Sequence, residues 1–331
     1  MTRIRMFSLV PQVRASLSSV VRCDRCDRTA VVDRPYAGDH LCDVHLADTV
    51  RLRFRRAMHR QLPRFRTGTV AVALSGGKDS ATALALTHAY FGRRPTVEVV
   101  AISVDEGIRG YRSKTLGAAS DLTRSLGVRH VVVRARKELG TTTDAAAKRL
   151  GGIAPCSFCG VWRRQLLNRA ARNAGADALV LGFNLDDLAQ TVLMNVARAD
   201  VARLGRMAPH TRRQTDLVPR IAPLADVPER EVYLYATAAG LPFDHGECPH
   251  AGLASRNVFR DVVWRLEESI PGTRQALLRS RETIVDLLAV GTAESAPARC
   301  DECGEPSTGP RCRACEYRRA VAGPVMGSAA S

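Results

Sequence analysis

Ten cysteines stand at positions 23, 26, 42, 156, 159, 248, 300, 303, 312 and 315, and their spacing suits metal ligation rather than disulfide pairing. A Cys-x-x-Cys turn aims two thiolates at one ion, and two such turns complete a tetrahedron. Cys23-x2-Cys26 is followed after fifteen residues by Cys42-x2-His45, and Cys300-x2-Cys303 after eight by Cys312-x2-Cys315. Each set reads as a closed, four-ligand structural zinc site, in a segment with too little apolar sequence to fold without the ion. The competing reading, free thiols or disulfides, is one that a reducing compartment seldom keeps.

Cys156, Cys159 and Cys248 remain. Three thiolates leave one coordination position open, as a reactive iron–sulfur cluster or a catalytic metal requires and a structural zinc site does not. The alternative is a redox or persulfide pair at Cys156 and Cys159, with Cys248 a buried bystander. The stretch Ala154-Pro-Cys-Ser-Phe-Cys-Gly leads from a Gly/Pro loop into a helical pattern, Leu166, Leu167, Ala170 and Ala171. A cysteine at such a helix start, beside Arg163 and Arg164, is expected to have its thiolate stabilised.

A second centre of chemistry is Ser75-Gly76-Gly77-Lys78-Asp79-Ser80, between an apolar run and an amphipathic one. The glycines let backbone approach a ligand, amides at a helix start face an anion, and Lys78 adds a point charge. This is a phosphate cradle for ATP. It is not a Walker loop, because Gly-Lys is followed by Asp and the earlier glycine is missing.

These residues need a frame. Strands at 69–74, 97–104, 128–133 and 178–181 alternate with helices at 79–91, 113–126, 163–174 and 187–196, which specifies an α/β fold: a doubly wound parallel sheet with helices on both faces. Such sheets bind ligands at the carboxyl ends of their strands, where the motifs fall. Helical segments follow at 228–239, 257–268 and 273–288. The expected organisation is a basic, unstructured arm at 1–22; an amino-terminal zinc finger at 23–48; a basic linker helix at 49–66; an ATP-binding catalytic domain at 67–225; a helical region at 226–295 carrying Cys248; a carboxyl-terminal zinc finger at 296–319; and a disordered tail at 320–331.

The chain of 331 residues has a formal net charge of +16, and only Lys78, Lys114, Lys137 and Lys148 of its 49 basic residues are lysines. Arginine forks pair bidentately with phosphate and stack on bases, so the balance points to a nucleic-acid partner. No stretch reaches the roughly 18 apolar residues that a bilayer span needs. Residues 51–66 hold seven arginines and no acid; they read either as a solvated helix face or as a helix lying on RNA phosphates. Arg203, Arg206, Arg212, Arg213, Arg220, Arg299, Arg311, Arg313, Arg318 and Arg319 are further candidates. The arm resembles a transit peptide in composition, but ligand cysteines beginning at Cys23 favour a reducing, cytoplasmic location.

The hexapeptide resembles the Ser-Gly-Gly-x-Asp-Ser signature of the PP-loop ATP pyrophosphatases, whose fold is adenine nucleotide α-hydrolase-like. Within them the chain looks like the TtuA and Ctu-type tRNA 2-thiouridine synthetases over residues 21–317. The shared motifs are the amino-terminal finger, the loop, Val104-Asp-Glu-Gly-Ile-Arg-Gly-Tyr-Arg, Pro155-Cys-Ser-Phe-Cys-Gly, Gly182-Phe-Asn-Leu-Asp-Asp-Leu-Ala-Gln-Thr, Glu247-Cys-Pro and the carboxyl-terminal finger. The sequence departs from the family at Phe183, usually His, and at Leu188, usually an acid.

The resemblance implies that Ser75, Gly76, Gly77, Lys78, Asp79 and Ser80 hold ATP phosphates, and that backbone near Ala73, Val104 and Gly182 holds the adenosine. It implies that Arg163 touches the nucleotide, that Asp187 is catalytic, and that Cys156, Cys159 and Cys248 bind a [4Fe–4S] cluster with one open iron. Lys78 and a Mg²⁺ on Asp79 or Asp187 would stabilise phosphoryl charge as the C2 oxygen of a tRNA uridine is adenylated. Sulfur then replaces that oxygen, delivered by the cluster or by a persulfide on Cys156 or Cys159. A ubiquitin-like sulfur carrier is the implied donor, and the family leaves room for a homodimer. Two other readings stand beside this ATP-dependent tRNA sulfurtransferase: another PP-loop tRNA-modifying or amidotransferase-type adenylating enzyme, and a non-catalytic zinc-finger RNA-binding module.

Overall fold

The computed structural model describes residues 21–92, 94–207, 209–210, 214, 216–289 and 298–323. The arm up to residue 20, Arg212, Arg213 and the tail beyond residue 323 lie outside the described residues.

The chain opens with a hairpin of β1 (Val32–Arg34) and β2 (Asp39–Leu41), then α1 (Asp43–Gln61). There follow β3 (Gly68–Ala73), α2 (Lys78–Phe91), β4 (Val97–Asp105), α3 (Arg112–Leu126) and β5 (Arg129–Arg134). Next come α4 (Ala135–Leu139), α5 (Thr143–Arg149), α6 (Pro155–Asn173), β6 (Ala176–Val180), α7 (Leu185–Ala197), α8 (Val201–Gly205) and β7 (Arg220–Ile221). Helices α9 (Glu229–Ala238), α10 (Arg256–Ser269) and α11 (Thr273–Ala289) precede the hairpin β8 (Ala298–Arg299) and β9 (Pro306–Ser307), and α12 (Arg313–Ala322) ends it.

Five parallel strands are ordered β5-β4-β3-β6-β7. The chain runs outward from β3 to β5 and then returns to pair β6 with the other side of β3, so strand order reverses between β3 and β6. The crevice outside their carboxyl ends is where such sheets take ligands. Alternation along β3 feeds both faces: Val70 and Val72 join a core with Leu84 of α2 and Phe54 of α1, while Ala71 joins Ile102, Leu179 and Trp162 of α6 on the opposite face. Strand β7, not expected from the sequence, is only two residues long and pairs with Leu179 and Val180.

The basic stretch expected as a linker is continuous with the first finger, because α1 begins at Asp43 and already contains His45. Its apolar side chains Leu46, Val50, Phe54, Ala57 and Met58 recur at helical spacing and are buried, which makes α1 a core helix. Arg53 reaches Glu231 of α9 at 3.2 Å and Arg60 reaches Asp226 at 2.8 Å, while Arg55 and Arg56 face solvent.

Helix α6 starts at Pro155, eight residues ahead of the expected Arg163. Proline suits a first helical position, where its fixed φ is already helical and its missing N–H is not needed, so both cysteines of Cys156-x2-Cys159 lie in the first turns. Farther along, the Trp162 indole donates to the Ala314 carbonyl at 3.2 Å, and the Phe158 and Tyr317 rings meet at 6.0 Å. These contacts dock the second finger on α6.

Candidate active site

Strand β3 ends where Ser75, Gly76 and Gly77 turn into α2. Gly76 has φ 91°, and a Cβ there would come 1.9 Å from the Thr115 carbonyl oxygen of α3, so the turn requires glycine. The Ser80 hydroxyl accepts from Ser75 N–H at 3.1 Å and donates to the Gly77 carbonyl at 2.9 Å, and the Ser75 and Ser80 hydroxyls lie 2.9 Å apart. The loop is thereby closed on itself with the α2 amides at its mouth. Gly182, after β6, packs so tightly on α2 that a Cβ would stand 3.0 Å from the Asp79 carbonyl.

Lys78 Nζ lies 3.0 Å from Asp79 Oδ2 and 2.7 Å from Glu229 Oε1. Burial opposes its charge, but the two carboxylates outweigh burial and hold the ammonium above its ordinary pKa. Asn184 donates to Asp79 Oδ1 at 3.0 Å and caps α7 in a reciprocal box with Asp187. About a third of the Asp187 side chain is accessible, yet the surrounding protein and then the Asp79 charge push its pKa up to about 7. Two carboxylates raised in this way form a place that a divalent cation would stabilise.

The neighbouring Asp186 has a different task. It pairs with Arg274 of α11 at 2.6 Å and accepts the Glu229 N–H at the start of α9, so it joins helices and does not face the cleft. Leu188 is buried with Val192, Leu204 and Met207, so the position where the resemblance implies an acid is a core position here. Phe183 is exposed.

A chain of charges leads from the loop to the cysteines, buried at Arg112 and Glu106 and reaching solvent at Arg163. Arg112 donates to the Ser75 carbonyl at 2.8 Å and also to the Val104 carbonyl, which is thereby occupied. Its guanidinium lies 2.8 Å from Glu106, whose other oxygen is 2.5 Å from Arg163, and Arg163 points a second nitrogen at Cys159 Sγ, 3.6 Å away. Glu106, Arg112, Asn184, Glu229 and Arg256, which donates to the Asp187 carbonyl at 3.1 Å, were not singled out by the sequence reading. Only Glu106, Arg112 and Asn184, by their position inside quoted motifs, carried a signal that could have found them.

Cys156 is exposed and Cys159 buried; Cys156 Sγ is 3.9 Å from the His250 carbonyl in the turn that follows Cys248. Burial pushes both thiols up, the charge of Cys248 adds to this, and Arg163 opposes it. Arg163 thus favours both thiolates, as expected, but burial outweighs it. The three sulfurs do not gather within 4.8 Å of one another as each finger quartet does. A cluster held by three thiolates places each on a different iron, so its ligands stand wider than four that share one ion, and the donor set fits such a group.

Among the described residues only the two finger quartets bring all their ligand atoms within 4.8 Å. Cys23 Sγ and Cys42 Sγ lie 3.3 and 3.4 Å from His45 Nδ1, Cys26 Sγ lies 3.7 Å from Cys42 Sγ, and Cys303 Sγ lies 3.6 Å from Cys312 Sγ. Metal–sulfur bonds of about 2.3 Å imply a tetrahedral edge of about 3.8 Å. In both quartets the third ligand caps a helix and the fourth follows three residues later on the same face.

Residues 49–267 match the PP-loop domain family, and residues 22–46 match the family described as 2-thiouridine synthetase TtuA, N-terminal LIM domain. The tRNA 2-thiolation protein NcsA of Haloferax volcanii is 38% identical, over 91% of this chain and 99% of that protein. The tRNA-5-methyluridine(54) 2-sulfurtransferase of Pyrococcus horikoshii is 31% identical, over 90% and 93%. The solved U34-tRNA thiolase NcsA from Methanococcus maripaludis, with its [4Fe-4S] cluster, superposes with a TM-score of 0.79 at 31% identity, covering 90% of this chain and 95% of that one. On a PP-loop sheet with two cysteine-rich metal-binding modules, these matches make the chain a member of the PP-loop tRNA 2-thiolation family that includes NcsA and TtuA.

Proposed function

We propose that the protein is an ATP-dependent tRNA sulfurtransferase that converts a tRNA uridine to its 2-thio form. The uracil C2 oxygen is a poor leaving group. It attacks the α-phosphorus of ATP, pyrophosphate leaves, and sulfur then forms a bond to C2 as AMP departs with the oxygen. The observation that carries this reading is the link Ser75–Arg112–Glu106–Arg163–Cys159, which sets a phosphate cradle and a thiol site on one edge of the sheet.

Within that edge the loop amides and Lys78 receive phosphate charge, and Lys78 exchanges its two carboxylates for phosphoryl oxygens when nucleotide enters. Asp79 and Asp187 would hold Mg²⁺. Gly182 leaves room for the loop to sit against α2, and Arg163 spans nucleotide and sulfur. Cys156, Cys159 and Cys248 would hold a [4Fe–4S] cluster, which supplies an iron with an open position for sulfide. One Zn²⁺ in each quartet would hold the fingers. For tRNA, the solvent-facing Arg55 and Arg56, together with Arg206, Arg220 and Arg318, offer phosphate contacts; Arg203, Arg299, Arg311, Arg313 and Arg319 already have acidic neighbours. The family resemblance supports a thiocarboxylated ubiquitin-like carrier as the sulfur source, a homodimer and a cytoplasmic location. No described helix is long and apolar enough to cross a membrane.

The test is nucleoside mass spectrometry of tRNA incubated anaerobically with ATP, sulfide and the iron-reconstituted protein. Formation of 2-thiouridine with AMP and pyrophosphate is expected, and Lys78→Ala should bind tRNA yet release no pyrophosphate. Unaltered turnover in that variant would remove the loop from the mechanism.

A further inference from the structure

Between α9 and the short 3₁₀ turn Ala251–Leu253 the chain crosses the mouth of the site without helix or strand, and Cys248 sits in this strap. Two polar contacts tie it to the domain beneath. Asp244 N–H donates to the Gly76 carbonyl at 2.9 Å, on the nucleotide side. His250 Nε2 lies 2.8 Å from Asp144 Oδ1, on the cysteine side, four and two residues respectively from Cys248.

The second tie is built from both ends. Asp144 stands in the first turn of α5, and its other oxygen accepts the Arg109 N–H at 2.9 Å, so the carboxylate is fixed before His250 arrives. Helix α5 is itself anchored, through Thr143 N–H donating to the Glu106 carbonyl at 2.8 Å, to the residue that holds Arg163. At the other end, Ala251 N–H donates to the Cys248 carbonyl at 2.8 Å, which locks the short stretch from cysteine to histidine, and the His250 carbonyl lies beside Cys156 Sγ. With both Asp144 oxygens accepting, the imidazole must present Nε2–H.

We infer that Asp144 and His250 form a positioning pair, a latch that seats Cys248 over the start of α6 so that the third sulfur meets the other two already in place. The inference rests on the cluster reading proposed above. Neither residue touches reacting atoms; the pair acts through Cys248, as partners beyond the ligands do at other metal sites, where their loss lowers metal affinity about ten- to a hundredfold.

The test uses the full chain, reconstituted anaerobically with ferrous iron and sulfide. Loss of the cluster's visible absorbance in excess iron chelator is timed, and the electron paramagnetic resonance spectrum of the reduced cluster is recorded. Asp144→Ala and His250→Phe, the second of which fills the ring's space but donates nothing, should release iron about ten- to a hundredfold faster than the parent chain. The double variant should be no faster than Asp144→Ala alone, because that change already breaks the contact that His250→Phe removes. His250→Gln keeps a donor and should restore the parent rate and spectrum. Zinc content and ATP affinity should be unchanged throughout.

Parent-like iron release in Asp144→Ala and His250→Phe, or effects that add in the double variant, would overturn the latch and leave the cluster reading intact. A parent chain that takes up no iron would overturn the cluster reading and the latch with it.

Discussion

Replacing Gly76 by alanine tests the loop at its tightest point. The missing Cβ would stand 1.9 Å from the Thr115 carbonyl oxygen, at a φ of 91°. Thr115 is buried in α3 and the opposing atom is backbone, so no side-chain rotation relieves the overlap. Left-handed backbone costs alanine about 1–2 kcal/mol and forced overpacking about 1–3 kcal/mol, so a loop that stays in place loses about 2–5 kcal/mol. A loop that yields instead must lift Ser75 away from Arg112, which donates to its carbonyl at 2.8 Å, and the phosphate seat opens. Gly76→Ala is therefore expected to lower the thermal midpoint by several degrees, at about 2–4 °C per kcal/mol, and to slow tRNA-dependent ATP–pyrophosphate exchange by about 100-fold or more. Gly117 is the control: it lies in α3 with nothing within 4 Å of its Cβ position, and Gly117→Ala should gain about 0.5–1 kcal/mol. Unchanged exchange in Gly76→Ala, or equal midpoints for the two variants, would refute the claim that α3 locks this turn.

Cys156→Ser and Cys248→Ser should each abolish thiolation while zinc content stays at the parent value by metal analysis; full activity in either would contradict the cluster assignment. His130 is held below its ordinary pKa by burial, and its Nε2 lies 2.7 Å from Ser103 Oγ, which donates to the Leu74 carbonyl. The unfolded chain therefore takes up this proton more readily than the folded one as pH falls below about 6.5. Stability should decline on acidification through that range, and His130→Gln should flatten this part of the thermal-midpoint profile. A profile of the same slope in the variant would assign the loss elsewhere. Trp162 is 1% exposed against α12. In a Trp264→Phe background, stripping zinc from the second finger should shift its emission to the red, and an unmoved spectrum would mean that the finger docks without its ion.

Chemistry written in short stretches was legible in the sequence. Both quartets and the hexapeptide are local patterns, and strand-to-helix alternation sufficed to set the hexapeptide at a strand end. Phase was harder to read. Asp186 and Asp187 are adjacent, but a helix turns about 100° between them, and only the structure shows that one joins Arg274 while the other looks into the cleft. Leu188 stood out only as a departure from the family; its inward direction depends on α8 and α11, which pack against it from farther along the chain. Glu229 and Lys78 are 151 residues apart, and Asn184 and Asp79 are 105 apart; no spacing rule joins such pairs. Strand β7 escaped because two residues carry no periodicity.

Helix α6 carries Cys156 and Cys159 at one end, and six residues beyond Cys159 the Gln165 amide donates to Cys303 Sγ at 3.4 Å and to Cys312 Sγ at 3.7 Å. At about 1.5 Å per residue, the finger thiols and the Cys156–Cys159 pair are separated by about 9 Å along a single rod. With zinc and iron assigned as proposed above, maturation should have a direction, zinc stiffening the rod before iron can settle at its tip. Metal-free protein offered iron ahead of zinc should load poorly, and a cell starved of zinc would lose its sulfur chemistry while its iron supply was still ample.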